Sequence, residues 1–122
     1  MITGKVQSDE ARIRLVVVGA DGRTKEKEAV VDTGYSGSLT LPSATIQALG
    51  LPWMSTDEAE LADGSICNFE VYAGHVIWDD KARSILVDQA DADSLVGMRL
   101  IRGYELKMQV RRGGKVIIKR LA

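Results

Sequence analysis

The segment Val30-Val31-Asp32-Thr33-Gly34-Tyr35-Ser36-Gly37-Ser38 holds two groups that can do chemistry, the Asp32 carboxylate and the Ser36 hydroxyl. A serine nucleophile on a strained strand-to-helix elbow needs glycine two residues after the serine. That position is Ser38, and Gly37 comes one residue too early. The one available base, His75, falls on a β-type run with no identifiable partner. Ser36 therefore reads as a loop hydroxyl that bonds nearby backbone. Asp32 stands differently. Two β-branched apolar residues lead into it, so its carboxylate starts at the end of a buried strand. Thr33 and Gly34 then let the chain turn sharply before a second strand leaves. Such a carboxylate projects from a rigid sheet end into a cleft, where it is placed for acid–base work. The plainer reading is a strand that ends in an Asx-turn.

Few other chemistries have the residues they need. A single cysteine, Cys67, excludes an internal disulfide, and with one histidine it cannot build a Cys/His zinc cage. Cys67 and His75 read as packing residues, and Trp53, Phe69 and Trp78 as core or interface residues.

The elements around Asp32 are short and mostly β-type. Residues 12–18 alternate and then become continuously apolar, Asp21-Gly22 marks a hairpin turn, and residues 25–31 run from charged to buried. Residues 38–42 form a strand stopped by Pro42. One helix is predicted over 42–51, with Ser43 as its cap and Gly50 at its end. Two hairpins follow, turning at Asp63-Gly64 and at Asp79-Asp80. A second short helix, begun by an acidic cap and ended at Gly103, is expected within 91–104. Residues 104–110 and 115–121 make a final hairpin. The expected fold is mainly β, a small closed barrel with one or two short helices, and 122 residues suit a single domain over 1–122. With 16 basic and 17 acidic residues there is no positive field to attract nucleic acid. No apolar run is long enough to span a bilayer and the N-terminus lacks a signal-peptide core, so the expectation is a cytoplasmic protein.

The Asp-Thr-Gly tripeptide and three later segments, in this order, resemble the retroviral-type (retropepsin-like) aspartic proteases of clan AA. Residues 60–76 sit where that family has its flap hairpin, with the tip at Ala62, Asp63, Gly64 and Ser65. Leu95, Val96 and Gly97 match the segment that supports the active-site loop. The strands at 104–110 and 115–121 match the closing strands. The pattern Asp32-Thr33-Gly34-Tyr35-Ser36-Gly37-Ser38-Leu39-Thr40-Leu41-Pro42 is most similar to the prokaryotic single-domain branch. Viral relatives commonly carry Ala where this chain has Tyr35, and an Asp–Arg pair where it has Ser36 and Met98. Both members of that pair are missing together, so no charge is stranded. Arg99 stands where relatives often have Asp or Asn.

The resemblance implies an aspartic endopeptidase active as a homodimer on peptide or protein substrates, with Asp32 of each copy catalytic and no metal or organic cofactor. It implies that Thr33 bonds across the two-fold axis and that Gly34 admits substrate backbone. Tyr35 either lines a specificity pocket or packs under the loop. The alternative of a different class is a dimeric peptide- or protein-binding module that keeps the fold with little or no protease activity.

Overall fold

Alternation of apolar and polar residues decides where each strand lies, because successive side chains point to opposite faces. In the computed structural model, which describes residues 1–122, Ile13, Leu15 and Val17 are buried while Arg12, Arg14 and Val16 face outward. The strands are β1 (Ile2–Gln7), β2 (Glu10–Val18), β3 (Thr24–Val31), β4 (Leu39–Leu41), β5 (Trp53–Glu60), β6 (Ile66–Trp78), β7 (Lys81–Gln89), β8 (Leu95–Val96), β9 (Tyr104–Met108) and β10 (Lys115–Arg120). The helices are α1 (Ser43–Leu49) and α2 (Met98–Ile101).

Pairing runs β2–β3–β8–β4–β7–β6 and returns from β6 to β2 through Val16↔Ile77, Val17↔Val76 and Val18↔His75. This closes a six-stranded barrel and removes its open edges. β1, β10 and β9 extend the sheet beyond β2, and β5 extends it beyond β6. Most pairs are antiparallel, but β3–β8 and β4–β7 are parallel. Val17, Leu39, Leu41, Val76, Val87, Val96 and Leu100 are fully buried in the interior. Burying one such side chain is worth about 1.5–3 kcal/mol. The expected small closed β-barrel with two short helices is what forms.

Several local readings change. β1 was not expected from its mixed composition. It is held by pairing on both sides, with β2 through the two-residue turn Ser8-Asp9 and with β10. Ser43 is not the cap of α1 but its first residue. Its N–H (2.8 Å) and hydroxyl (3.1 Å) both donate to Asp91, which caps the helix from 48 residues away. The second helix is a single turn beginning after Gly97 rather than near Asp91. Residues 94–96 are drawn into the sheet instead, where the Val30 N–H donates to the Ser94 carbonyl. No helix is long and apolar enough to cross a membrane.

The remote cap is testable. Asp91→Ala removes both bonds at the start of α1 and is expected to cost about 1 kcal/mol, a fall in Tm of roughly 3–5 °C by calorimetry. An unchanged Tm would mean the carboxylate adds nothing there.

Candidate active site

Asp32 follows the last residue of β3, and Val31 before it is paired with Val96 of β8. Its N–H donates to the Val96 carbonyl at 2.9 Å, so the residue is fixed by the sheet. The side chain is half-buried. One oxygen, Oδ1, accepts the Gly34 N–H at 2.8 Å, the Asx-turn bond expected of an aspartate at a turn. The Tyr35 N–H closes the turn onto the Asp32 carbonyl at 3.2 Å. Thr33 and Gly34 form the exposed crest. The Asx-turn of the plainer reading is thus present, with the half-buried carboxylate at the end of β3.

The rest of the loop is stitched to the segment around α2. The Gly97 N–H donates to the Ser38 carbonyl (3.0 Å), Met98 to Tyr35 (2.8 Å) and Arg99 to Gly37 (3.1 Å). Leu95 adds a bond from its N–H to the buried Thr40 hydroxyl at 2.8 Å. This approach requires glycine at position 97. A Cβ there would lie 2.2 Å from the Gly37 carbonyl oxygen and 2.6 Å from the Tyr35 ring. Leu95, Val96 and Gly97 are thus brought against the Asp32 loop.

Ala62, Asp63, Gly64 and Ser65 lie apart from Asp32 in the chain, at the tip of the β5–β6 hairpin. The turn is not the two-residue Asp-Gly form. Gly64 donates to the Leu61 carbonyl (2.9 Å) and Leu61 to the Ser65 carbonyl (2.8 Å), which makes a three-residue turn with Gly64 at φ 84°. The Ser65 hydroxyl and N–H both donate to Asp63, holding that carboxyl below its ordinary range. β5 is exposed along almost its whole length, so the hairpin stands off the barrel. Trp53 (58% exposed) and Cys67 lie on it and are not core residues. His75 is also exposed and bonds the Ser84 hydroxyl. Trp78 alone of the tryptophans is buried.

The base of the hairpin and the loop face each other across a cavity of about 200 Å³. Ser36, Gly37 and Ser38 line one side, Asp57, Phe69 and Val71 another, with Leu86, Asp88 and Arg99 completing it. Tyr35 is not among these residues. Its ring folds over Gly37, and its hydroxyl donates to Asp88 from beneath the loop. Tyr35 thus packs under the loop, as one of its two readings has it. Burial, then the bond to Asp88, raises the Tyr35 pKa, so the phenol stays a donor. Burial also raises the pKa of Asp88, with the nearby Asp57 charge acting in the same direction, while the Tyr35 bond and the Arg99 charge oppose it. Arg99 thus sits in the field of Asp88. Asp88 was not singled out from the sequence; its only trace there is an acid that directly follows the apolar run Ile85-Leu86-Val87.

No protein-family profile matches the chain, and no curated protein matches it by sequence. Among solved structures it is similar to a retropepsin-like aspartic protease from Rickettsia conorii, with TM-score 0.62 and 19% identity over all of this chain and 90% of that one. At that identity the likeness establishes the fold alone.

Asp88 supplies a pH-dependent test. Its folded-state pKa is raised above 3.8, so the stability it contributes is complete below that value. That contribution is lost as pH rises through the higher folded value, where the unfolded chain binds fewer protons. Asp88→Asn keeps an acceptor for Tyr35 but carries no charge. Thermal melts from about pH 4 to 7 should show the variant gaining on the wild type as pH rises. Parallel curves would contradict the burial of this carboxyl.

Proposed function

We propose that the chain is an aspartic endopeptidase working as a two-fold homodimer, each subunit contributing Asp32. The observation that carries this reading is the setting of Asp32. It is a half-buried carboxylate at the end of a core strand, on a loop clamped by main-chain bonds, beside a hairpin that stands off the barrel. The fold similarity to a retropepsin-like protease supports it.

The chemistry demands two carboxyls, and the chain has one Asp-Thr-Gly. One ionised Asp32 accepts a proton from water as the water oxygen attacks the peptide carbonyl carbon. The protonated Asp32 of the partner subunit gives its proton to the carbonyl oxygen. Collapse of the tetrahedral species breaks the C–N bond: the first Asp32 passes the proton it took from water to the departing amine, and the partner's Asp32 regains its proton from the hydroxyl as the carboxyl product forms. Two carboxyls held a few ångströms apart share one proton, the standard account of aspartic proteases, and such a pair titrates in two macroscopic steps. Activity therefore falls on both sides of a mildly acidic optimum. Thr33 bonds across the axis, and Gly34 leaves room for substrate backbone. Ala62 to Ser65 close over an extended peptide, and Leu95, Val96 and Gly97 hold the loop from behind.

The test is a peptide-library digest between about pH 4 and 7. Asp32→Asn should lose activity at least about 10³-fold while keeping its Tm and its sedimentation as a dimer. A wild type that binds peptides but cleaves none across that range would instead make the chain a dimeric binding module. A strict monomer at micromolar concentration would defeat the dimer.

A further inference from the structure

We propose that a basic cavity at the far end of the β6–β7 hairpin binds a small polyphosphate anion of diphosphate or triphosphate size. The cavity measures about 400 Å³, within the range of small-molecule sites, and is bounded by Trp78, Lys81, Arg83, Arg102, Tyr104 and Arg120. Four of these carry positive charge and no acidic residue lines the space. The molecule as a whole has net charge −1, so this concentration is not a by-product of a basic composition.

Three segments far apart in sequence build the site. The β6–β7 turn brings Trp78 opposite Lys81, the β9–β10 ladder brings Tyr104 opposite Arg120, and the end of α2 supplies Arg102. They meet where the Trp78 and Tyr104 rings pack edge to face at 5.9 Å. None of the four cations forms an ion pair with a protein carboxylate, whereas Arg12 and Arg14 elsewhere on the barrel do. Asp79, in the adjoining turn, accepts the Tyr104 hydroxyl at 3.4 Å and lies in the field of Lys81 without forming an ion pair with it. Arg83 is half-buried and already oriented. It donates to the Leu100 carbonyl at 2.8 Å and the Arg99 carbonyl at 3.3 Å, at the end of α2. Trp78 is 3% exposed, and its buried Nε1–H has no acceptor in the protein. That N–H is enclosed within the protein, so the groups an anion in the cavity would meet are the four cations. Planar guanidinium forks match the paired oxygens of phosphate, and four positive charges balance the charge of a di- or triphosphate.

The site is separate from Asp32. Along β7, Lys81 is roughly 20 Å from Asp88, which neighbours the active-site loop. The inference therefore does not rest on protease activity, and binding is expected unchanged in Asp32→Asn.

Trp53→Phe leaves Trp78 as the one tryptophan. Titrating that protein with inorganic triphosphate should change its emission saturably, with one ligand per chain by calorimetry and a rise in Tm that grows with ligand concentration. In the Trp53→Phe background, Arg102→Gln with Arg120→Gln, both exposed positions, should weaken binding at least about tenfold. Lys81→Gln provides a second, milder variant should the double change disturb folding. No saturable response to millimolar triphosphate would overturn the proposal, as would an affinity unchanged in the variants. Equal affinity for citrate would overturn the assignment to phosphate.

Discussion

Everything about the Asp32 loop depends on how closely the backbone of Gly97 approaches it. Only a residue without a Cβ leaves the Gly37 carbonyl and the Tyr35 ring where they are. With that gap closed, three consecutive N–H groups, from Gly97 to Arg99, find carbonyls between Tyr35 and Ser38. Two-residue β8 then lies between β3 and β4, parallel to the first and antiparallel to the second. The carboxylate is consequently positioned by the barrel itself. Pre-organisation of this kind is what the proposed water-activating carboxylate needs, because a group on a mobile loop would have to be ordered in every catalytic cycle.

The polar surroundings of the loop follow the same logic. A tyrosine packed beneath a glycine-rich turn needs a partner for its hydroxyl, and Asp88 supplies it from β7. Burial makes Asp88 reluctant to ionise, and Arg99 partly offsets this through its field. A cation, Arg99, thus stands beside a half-buried acid. Opposite this cluster the β5–β6 hairpin leaves the core almost at once, which explains its exposed Leu61 and Ile66 near the tip. A hairpin with so little packing of its own is the part of the fold best suited to move.

Much of this was legible in the sequence, for physical reasons. Alternation marked the inward faces of β2 and β10, and Pro42 with Gly50 bounded α1. The order of segments around Asp-Thr-Gly pointed to the barrel. What escaped depends on partners distant in the chain. β1 is a poor strand by composition and exists because both its edges are paired. α2 is short because parallel pairing with β3 takes the residues before it. Asp91 caps a helix 48 residues away, and Asp88 bonds a tyrosine 53 residues away. Cys67 and His75, read as packing residues, are both exposed, Cys67 because its hairpin leaves the core. The basic cavity was invisible for the same reason, being assembled from three separated segments.

The central claim is that the catalytic unit is two copies of Asp32, half from each chain. Mixing subunits tests it most directly. Wild type is combined with Asp32→Asn at constant total protein under conditions of free subunit exchange, and peptide hydrolysis is measured against the wild-type fraction. If both carboxyls are required, activity follows the square of that fraction, about a quarter of the full value in an equal mixture. A linear decline, to about half in the equal mixture, would show that each chain works alone and would contradict the account.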